Sequence, residues 1–175
     1  MQQESYAPIL KNRSLIRIEV LKVPAQKIGT IYIVLADDDL DEQFLFEKAI
    51  KGLPVATNVK IVSDGKELME YLLQTRVNPP DVIFLDIMMP CKNGIECLQE
   101  IKSHIRLKEI PVIMYSNSVS EDYITKAYEY GASWFLPKGE YFELAESISR
   151  LLAIIKKTPQ QAPKEKFKFH LQEYR

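Results

Sequence analysis

The sequence predicts an α/β fold, a doubly wound parallel sheet with helices on both faces. Two observations carry that reading. Five short apolar runs have strand length and are rich in β-branched or aromatic residues, and the segments between them carry helical apolar spacing. Strand and helix thus alternate five times, a pattern that calls for right-handed crossovers and therefore for parallel neighbours.

The first run is IYIVL (31–35). A helix follows it, with Leu40, Phe44 and Leu45 on one side, and Asp39 with Glu42 three residues on reads as a capping box at its start. VKIV (59–62) is the second run and VIFL (82–85) the third. Four consecutive apolar residues in VIFL suit a strand buried on both faces, and a lone carboxylate, Asp86, follows at once. PVIMY (111–115) and SWFL (133–136) complete the set. In the last helix Tyr141, Leu144, Ala145, Ile148, Leu151, Leu152 and Ile155 keep the i, i+3, i+4, i+7 rule. The βα units share no sequence self-similarity, so a solenoid is not indicated.

Two tails flank this unit, which spans about residues 29–155. In residues 1–28, Ile16, Ile18 and Val20 alternate with Arg17 and Glu19, the pattern of a short added strand or of an unstructured leader. Residues 156–175 carry five lysines and one arginine against two glutamates, with two prolines, and are expected to form a mobile basic tail.

Composition narrows the function. With 23 Lys+Arg against 24 Asp+Glu in 175 residues, no electrostatic footprint argues for nucleic acid or a membrane surface. Cys91 and Cys97 match no zinc spacing, and His104 lies far from His170. The N-terminus lacks the layout of a signal peptide and no stretch approaches the ~18 apolar residues of a membrane span. The expectation is a soluble, cytoplasmic protein with reduced thiols.

Asp37 and Asp38 follow the first run, Asp86 the third, Ser116 ends the fourth and Lys138 lies just beyond the fifth. In a parallel sheet those ends share one edge, where ligands of open α/β sheets bind. Alone, Asp38 or Asp39 reads as a helix N-cap, Ser116 as loop chemistry and Lys138 as a solvated charge. Together, converging carboxylates require a cation, and oxygen donors suit Mg²⁺. A carboxylate nucleophile with a metal, a lysine and a hydroxyl makes a phosphoryl-acceptor site.

These residues also carry a family resemblance. LADDDL, FLDIMMPCKNG, MYSNS and FLPKG, in order and at matching spacing, closely resemble the receiver domain of two-component response regulators. The resemblance implies a flavodoxin-like (βα)5 fold with strand order 2-1-3-4-5. It makes Asp86 the phosphoacceptor, charged from a histidine kinase or histidine phosphotransfer protein, with self-phosphorylation and self-dephosphorylation its only catalysis. Asp37, Asp38 and Asp86, with the Met88 backbone carbonyl, match the Mg²⁺ ligands. Ser116 and Phe135 match the switch pair and Lys138 the phosphate-contacting lysine. Gly94 and the Met-Met-Pro after Asp86 match the family loop. Signalling to a separate, unknown downstream protein is then expected through the face of the fourth helix, fifth strand and fifth helix, with a homodimer as a candidate use of that face. Tyr123, Tyr128 and Tyr130 lie in or near that fourth helix as candidate anchors or as core residues. Only 20 residues follow Ile155, so a stand-alone receiver is expected.

Two positions depart from the family. Asn117 stands where a small residue usually follows the switch hydroxyl, and Gly139 where a proline usually follows the lysine, so a cis Lys-Pro bond cannot form. Two alternatives compete. A haloacid-dehalogenase-like phosphatase shares the aspartate nucleophile and the D-x-D spacing of Asp37–Asp39, but needs a later acidic pair, and no Asp follows Asp122. A receiver-fold interaction module without phosphorylation is the other. Neither G-x-x-x-x-G-K-[ST] nor G-x-G-x-x-G occurs.

Overall fold

The computed structural model describes residues 29–74, 78–118, 120–139 and 141–174. Strands β1 (Ile31–Ala36), β2 (Thr57–Val62), β3 (Val82–Leu85), β4 (Val112–Ser116) and β5 (Trp134–Pro137) alternate with helices α1 (Leu40–Lys51), α2 (Gly65–Leu73), α3 (Gly94–Ser103), α4 (Glu121–Glu129) and α5 (Tyr141–Lys157). The sheet is parallel throughout, in the order β2-β1-β3-β4-β5. The chain therefore leaves β1 toward one edge and returns to β3 on its other side. The crevice between the carboxyl ends of β1 and β3 is the topological switch point.

Strand register brings the polar residues level with one another. Ala36 pairs with Leu85, so Asp37 and Asp86 leave the sheet at the same height. Ser116 pairs with Pro137, which brings Lys138 to that same edge.

Strand alternation divides the interior into two cores. Val34, Ala36, Ile83, Leu85, Val112 and Met114 face α2, α3 and α4. Ile33, Leu35, Val82, Phe84, Ile113 and Tyr115 face α1 and α5. VIFL is wholly apolar because β3 is covered on both sides. Phe46 of α1 seats its ring 4.9 Å from Phe84 and 5.7 Å from Tyr115, fixing α1 over the centre of the sheet.

Three expectations need correction. The buried stripe of α1 is Phe46, Ala49 and Ile50, while Leu40 and Phe44 are 74% and 64% exposed. Both sets have helical spacing, and packing on Phe84 selects the first. Asp39 does cap α1, accepting from the Asp41 and Glu42 N–H groups, but no reciprocal bond from the Glu42 carboxylate completes a box. The reciprocal capping box is at α3, between Asn93 and Glu96.

The third correction concerns the tail. Residues 158–174 are not a mobile basic segment but lie docked on the body. Two short 3₁₀ turns are Lys164–Lys166 and Leu171–Tyr174; Phe167, Phe169 and Leu171 are buried, while Lys168 between them is half-buried and His170 is exposed. Burial of each phenyl group contributes roughly 1.5–3 kcal/mol, enough to offset the ordering of a few residues. The strand-like pattern in residues 1–28 lies outside the described residues. Among those described, no helix is long and apolar enough to cross a membrane.

Candidate functional site

Backbone hydrogen bonds position the side chains of the site. The Asp37 N–H donates to the Val62 carbonyl at 3.1 Å and the Asp86 N–H to the Ala36 carbonyl at 2.9 Å, extending the sheet by one residue at its edge. Gln43 reaches back from α1 and donates to the Asp37 carbonyl at 2.6 Å. The Asp86 carboxylate accepts from the Ile87 N–H at 2.7 Å, which turns it across the crevice. Behind it, Gly94 opens α3 and donates to the Ile87 carbonyl at 2.9 Å. A Cβ at position 94 would stand 2.0 Å from the Asp86 carbonyl oxygen, so only glycine fits there.

Lys138 ties the acids together. Its N–H donates to the Ser116 carbonyl at 3.1 Å, and its ammonium lies 2.7 Å from Asp37 Oδ2 and 3.5 Å from Asp86 Oδ2. The lysine therefore reaches the crevice with Gly139 following it, and the described residues contain no cis peptide bond. The Tyr115 ring lies 5.4 Å below the ammonium.

Asp37 is fully buried and Asp86 only 6% exposed, whereas Asp38 is open to solvent. Burial pushes the Asp37 carboxyl above its usual range; the Lys138 bond and charge and the Asp39 N–H restrain that rise, and the charge of Asp86 adds to it. Burial also works against the Lys138 ammonium, but the bond to Asp37 and the charges of Asp86 and Asp37 outweigh it and hold the proton above the usual lysine range. Burial, then Glu42, Asp37 and Asp86, keep the Tyr115 phenol protonated well beyond its normal limit.

Ligand atoms of Asp37, Asp38 and Asp86 all lie within 4.8 Å of one another. Three carboxylates against one ammonium leave an excess of negative charge, and the donors are all oxygen. That set fits a hard divalent cation entering past exposed Asp38. Ser116 is buried, its hydroxyl accepting from the Ser118 N–H at 3.3 Å, and Asn117 beside it is exposed. Met88 is exposed on the loop after Asp86. Phe135 is fully buried in β5, two residues before the Pro137 that pairs with Ser116. Gln43 and Tyr115 support the site without having stood out in the sequence: Tyr115 reads there as one more core residue of an apolar strand. Tyr123, Tyr128 and Tyr130 are half-buried against the core rather than freely exposed.

A doubly wound sheet with an acid cluster and a lysine at its switch point defines a narrow class, and comparison with known proteins gives its family. The response regulator receiver domain model matches residues 33–149, more than half of the chain, and the chain belongs to that family. It is thus a receiver domain of the two-component response-regulator type. It is 31% identical over 124 residues to response regulator Rcp1 of Synechocystis, a match that covers 66% of this chain and 84% of that protein. The structure of the phosphorylated cyanobacterial phytochrome response regulator RcpA superposes with a TM-score of 0.68 at 31% identity, covering 77% of this chain and 99% of the other. The Mn²⁺-bound form of Rcp1 gives 0.67 at 27% identity, covering 76% and 99%.

Proposed function

We propose that Asp86 accepts a phosphoryl group from a phosphohistidine on a histidine kinase or phosphotransfer protein. The carrying observation is the Lys138 ammonium set between the carboxylates of Asp37 and Asp86 at the switch point, with Asp38 beside them. The resemblance to a phosphorylated relative and to a Mn²⁺-bound one supports the same reading.

Asp37, Asp38 and Asp86, with the Met88 carbonyl, would hold Mg²⁺, which would supply positive charge against the phosphoryl oxygens. Asp86 attacks phosphorus as its O–P bond forms; the histidine N–P bond breaks and the imidazole nitrogen keeps the electron pair. Lys138 moves from Asp37 toward the new phosphoryl oxygens, and the Ser116 hydroxyl donates to another. Burial disfavours the Asp37 charge, and a cation held there would stand in for the ammonium as the lysine moves away. Exposed Leu40 and Phe44 on α1 and exposed Met88 supply an apolar surface beside the crevice for the donor.

The protein is a signal carrier whose catalysis is confined to its own phosphorylation and dephosphorylation. It works in the cytoplasm and reads neither nucleic acid nor membrane. Ser116 and Phe135 pass the signal to a separate downstream protein through the α4–β5–α5 side, where a homodimer is a further use. Incubation with acetyl phosphate should label the wild type only when Mg²⁺ is present. The Asp86→Asn protein should stay folded and unlabelled, and Asp38→Ala should raise the Mg²⁺ concentration required. Labelling of Asp86→Asn at the wild-type rate would overturn the assignment.

A further inference from the structure

β5 is the edge strand of the sheet, and an edge strand presents unpaired N–H and C=O groups. Here the chain's own C-terminal segment meets them. The Phe135 N–H donates to the Phe167 carbonyl at 2.9 Å, and the Phe169 N–H donates to the Phe135 carbonyl at 2.8 Å, with Lys168 standing parallel to Phe135. Two further bonds extend the attachment: the Ala162 N–H to the Ser133 carbonyl at 2.9 Å, and the Gln161 side-chain amide to the Tyr128 carbonyl at 2.6 Å. The side chains grip both faces. Phe167 enters the α4-side core, 5.2 Å from the Tyr128 ring and 6.5 Å from Phe135. Phe169 enters the other, 5.9 Å from Trp134.

We propose that residues 161–171 are an intramolecular clamp on β5 that phosphorylation of Asp86 loosens and that, in return, opposes phosphorylation. The proposal rests on the phosphoacceptor reading of Asp86. Both backbone bonds at the centre of the clamp fall on one residue, Phe135, so a displacement of that residue strains both at once. Phe135 is paired with Met114, two residues before Ser116, and Ser116 itself is paired with Pro137. Drawing the Ser116 hydroxyl toward a phosphoryl group empties volume beside β5, and the Phe135 ring follows into it. That motion shifts the ring toward Ser116 and disturbs its packing against Phe167, 6.5 Å away. Release uncovers Tyr128, Trp134 and the β5 edge. Linkage makes the effect reciprocal: whatever factor phosphorylation costs the clamp, the clamp costs phosphorylation.

The test uses the full chain with Mg²⁺ and beryllofluoride as the phosphoryl mimic, with fluorine NMR to register bound mimic and amide hydrogen exchange to read the clamp. Binding should speed exchange at Phe135, Phe169 and Ala162 by roughly tenfold, leaving β1 and β3 unchanged. Phe167→Ala removes a ring contact and Phe169→Pro removes one clamp hydrogen bond; each should bind beryllofluoride roughly fivefold or more tightly than wild type. A clamp that merely stabilised the fold would not raise that affinity. Unchanged or slower exchange with bound mimic present overturns the proposal, as does wild-type affinity in both variants. Should either variant fail to fold, exchange in the wild type decides alone. Absence of any bound fluorine signal instead overturns the phosphoacceptor reading, and the clamp's coupling to Asp86 with it.

Discussion

Lys138→Met removes the ammonium that contacts both Asp37 and Asp86 while keeping most of the apolar stem. Its side chain is only 5% exposed and Asp37 is fully buried, so the loss leaves buried carboxylate charge without its partner. Breaking a buried pair in this way costs ~3–5 kcal/mol, and water reaching the cluster past exposed Asp38 argues for the lower end, ~3 kcal/mol. For a chain of this size each kcal/mol corresponds to about 2–4 °C, which gives a drop of about 6–12 °C in Tm without metal. The sign with pH follows from Asp37, whose carboxyl is already raised by burial. A folded-state value above the unfolded one means that the folded protein binds the extra proton. Without the Lys138 bond and charge that restrain the rise, the variant's Asp37 lies higher still, so its deficit is full above the variant's value and shrinks as pH falls from there toward the wild-type one. If the folded cluster holds Mg²⁺ as proposed, millimolar Mg²⁺ should recover more stability in Lys138→Met than in the wild type. Thermal unfolding followed by circular dichroism, with and without metal, reads all three effects. A Tm within about 2 °C of wild type in the absence of metal, or an equal response of both proteins to Mg²⁺, would refute the charge-compensation argument.

Other consequences can be checked independently. Gly94→Ala should destabilise the fold by ~1–3 kcal/mol in urea unfolding and slow acetyl phosphate labelling, because its Cβ collides with the Asp86 carbonyl. Cys97 is buried, and burial pushes its thiol up to about 12, whereas Cys91 is exposed; native protein should titrate one thiol with a disulfide reagent at pH 8 and unfolded protein both. Leu40→Ser with Phe44→Ser changes exposed side chains, so stability should move by only about 0.5 kcal/mol. The same pair should slow phosphotransfer from a histidine donor protein and leave labelling by acetyl phosphate unchanged.

Much of the architecture was legible because β3 and its neighbours are uniformly apolar and evenly punctuated. VIFL could only be a strand covered on both faces, and once the strands were parallel, Asp37, Asp86, Ser116 and Lys138 had to share an edge. The spacing did not give the partner of each charge. That Lys138 lies nearer Asp37 than Asp86 depends on side-chain reach across elements distant in sequence. On α1 two apolar stripes compete, and the choice of Phe46, Ala49 and Ile50 over Leu40 and Phe44 is made by the sheet beneath. The tail misled for a different reason. Its lysines dominate the charge count, while Phe167, Phe169 and Leu171, every second residue, carry a strand-like apolar alternation that places them against β5. In that segment the period-two pattern, not the local charge, decides where the chain lies.

Asp86, and no other carboxylate of the cluster, is the proposed acceptor of the phosphoryl group. The most direct measurement treats the protein with acetyl phosphate and Mg²⁺, traps the acyl phosphate by borohydride reduction, and maps the product by peptide mass spectrometry. The aspartate reduced to homoserine should be residue 86, and the product should vanish when Mg²⁺ is chelated. Homoserine at 37 or 38, or none anywhere in wild-type protein, would contradict the account.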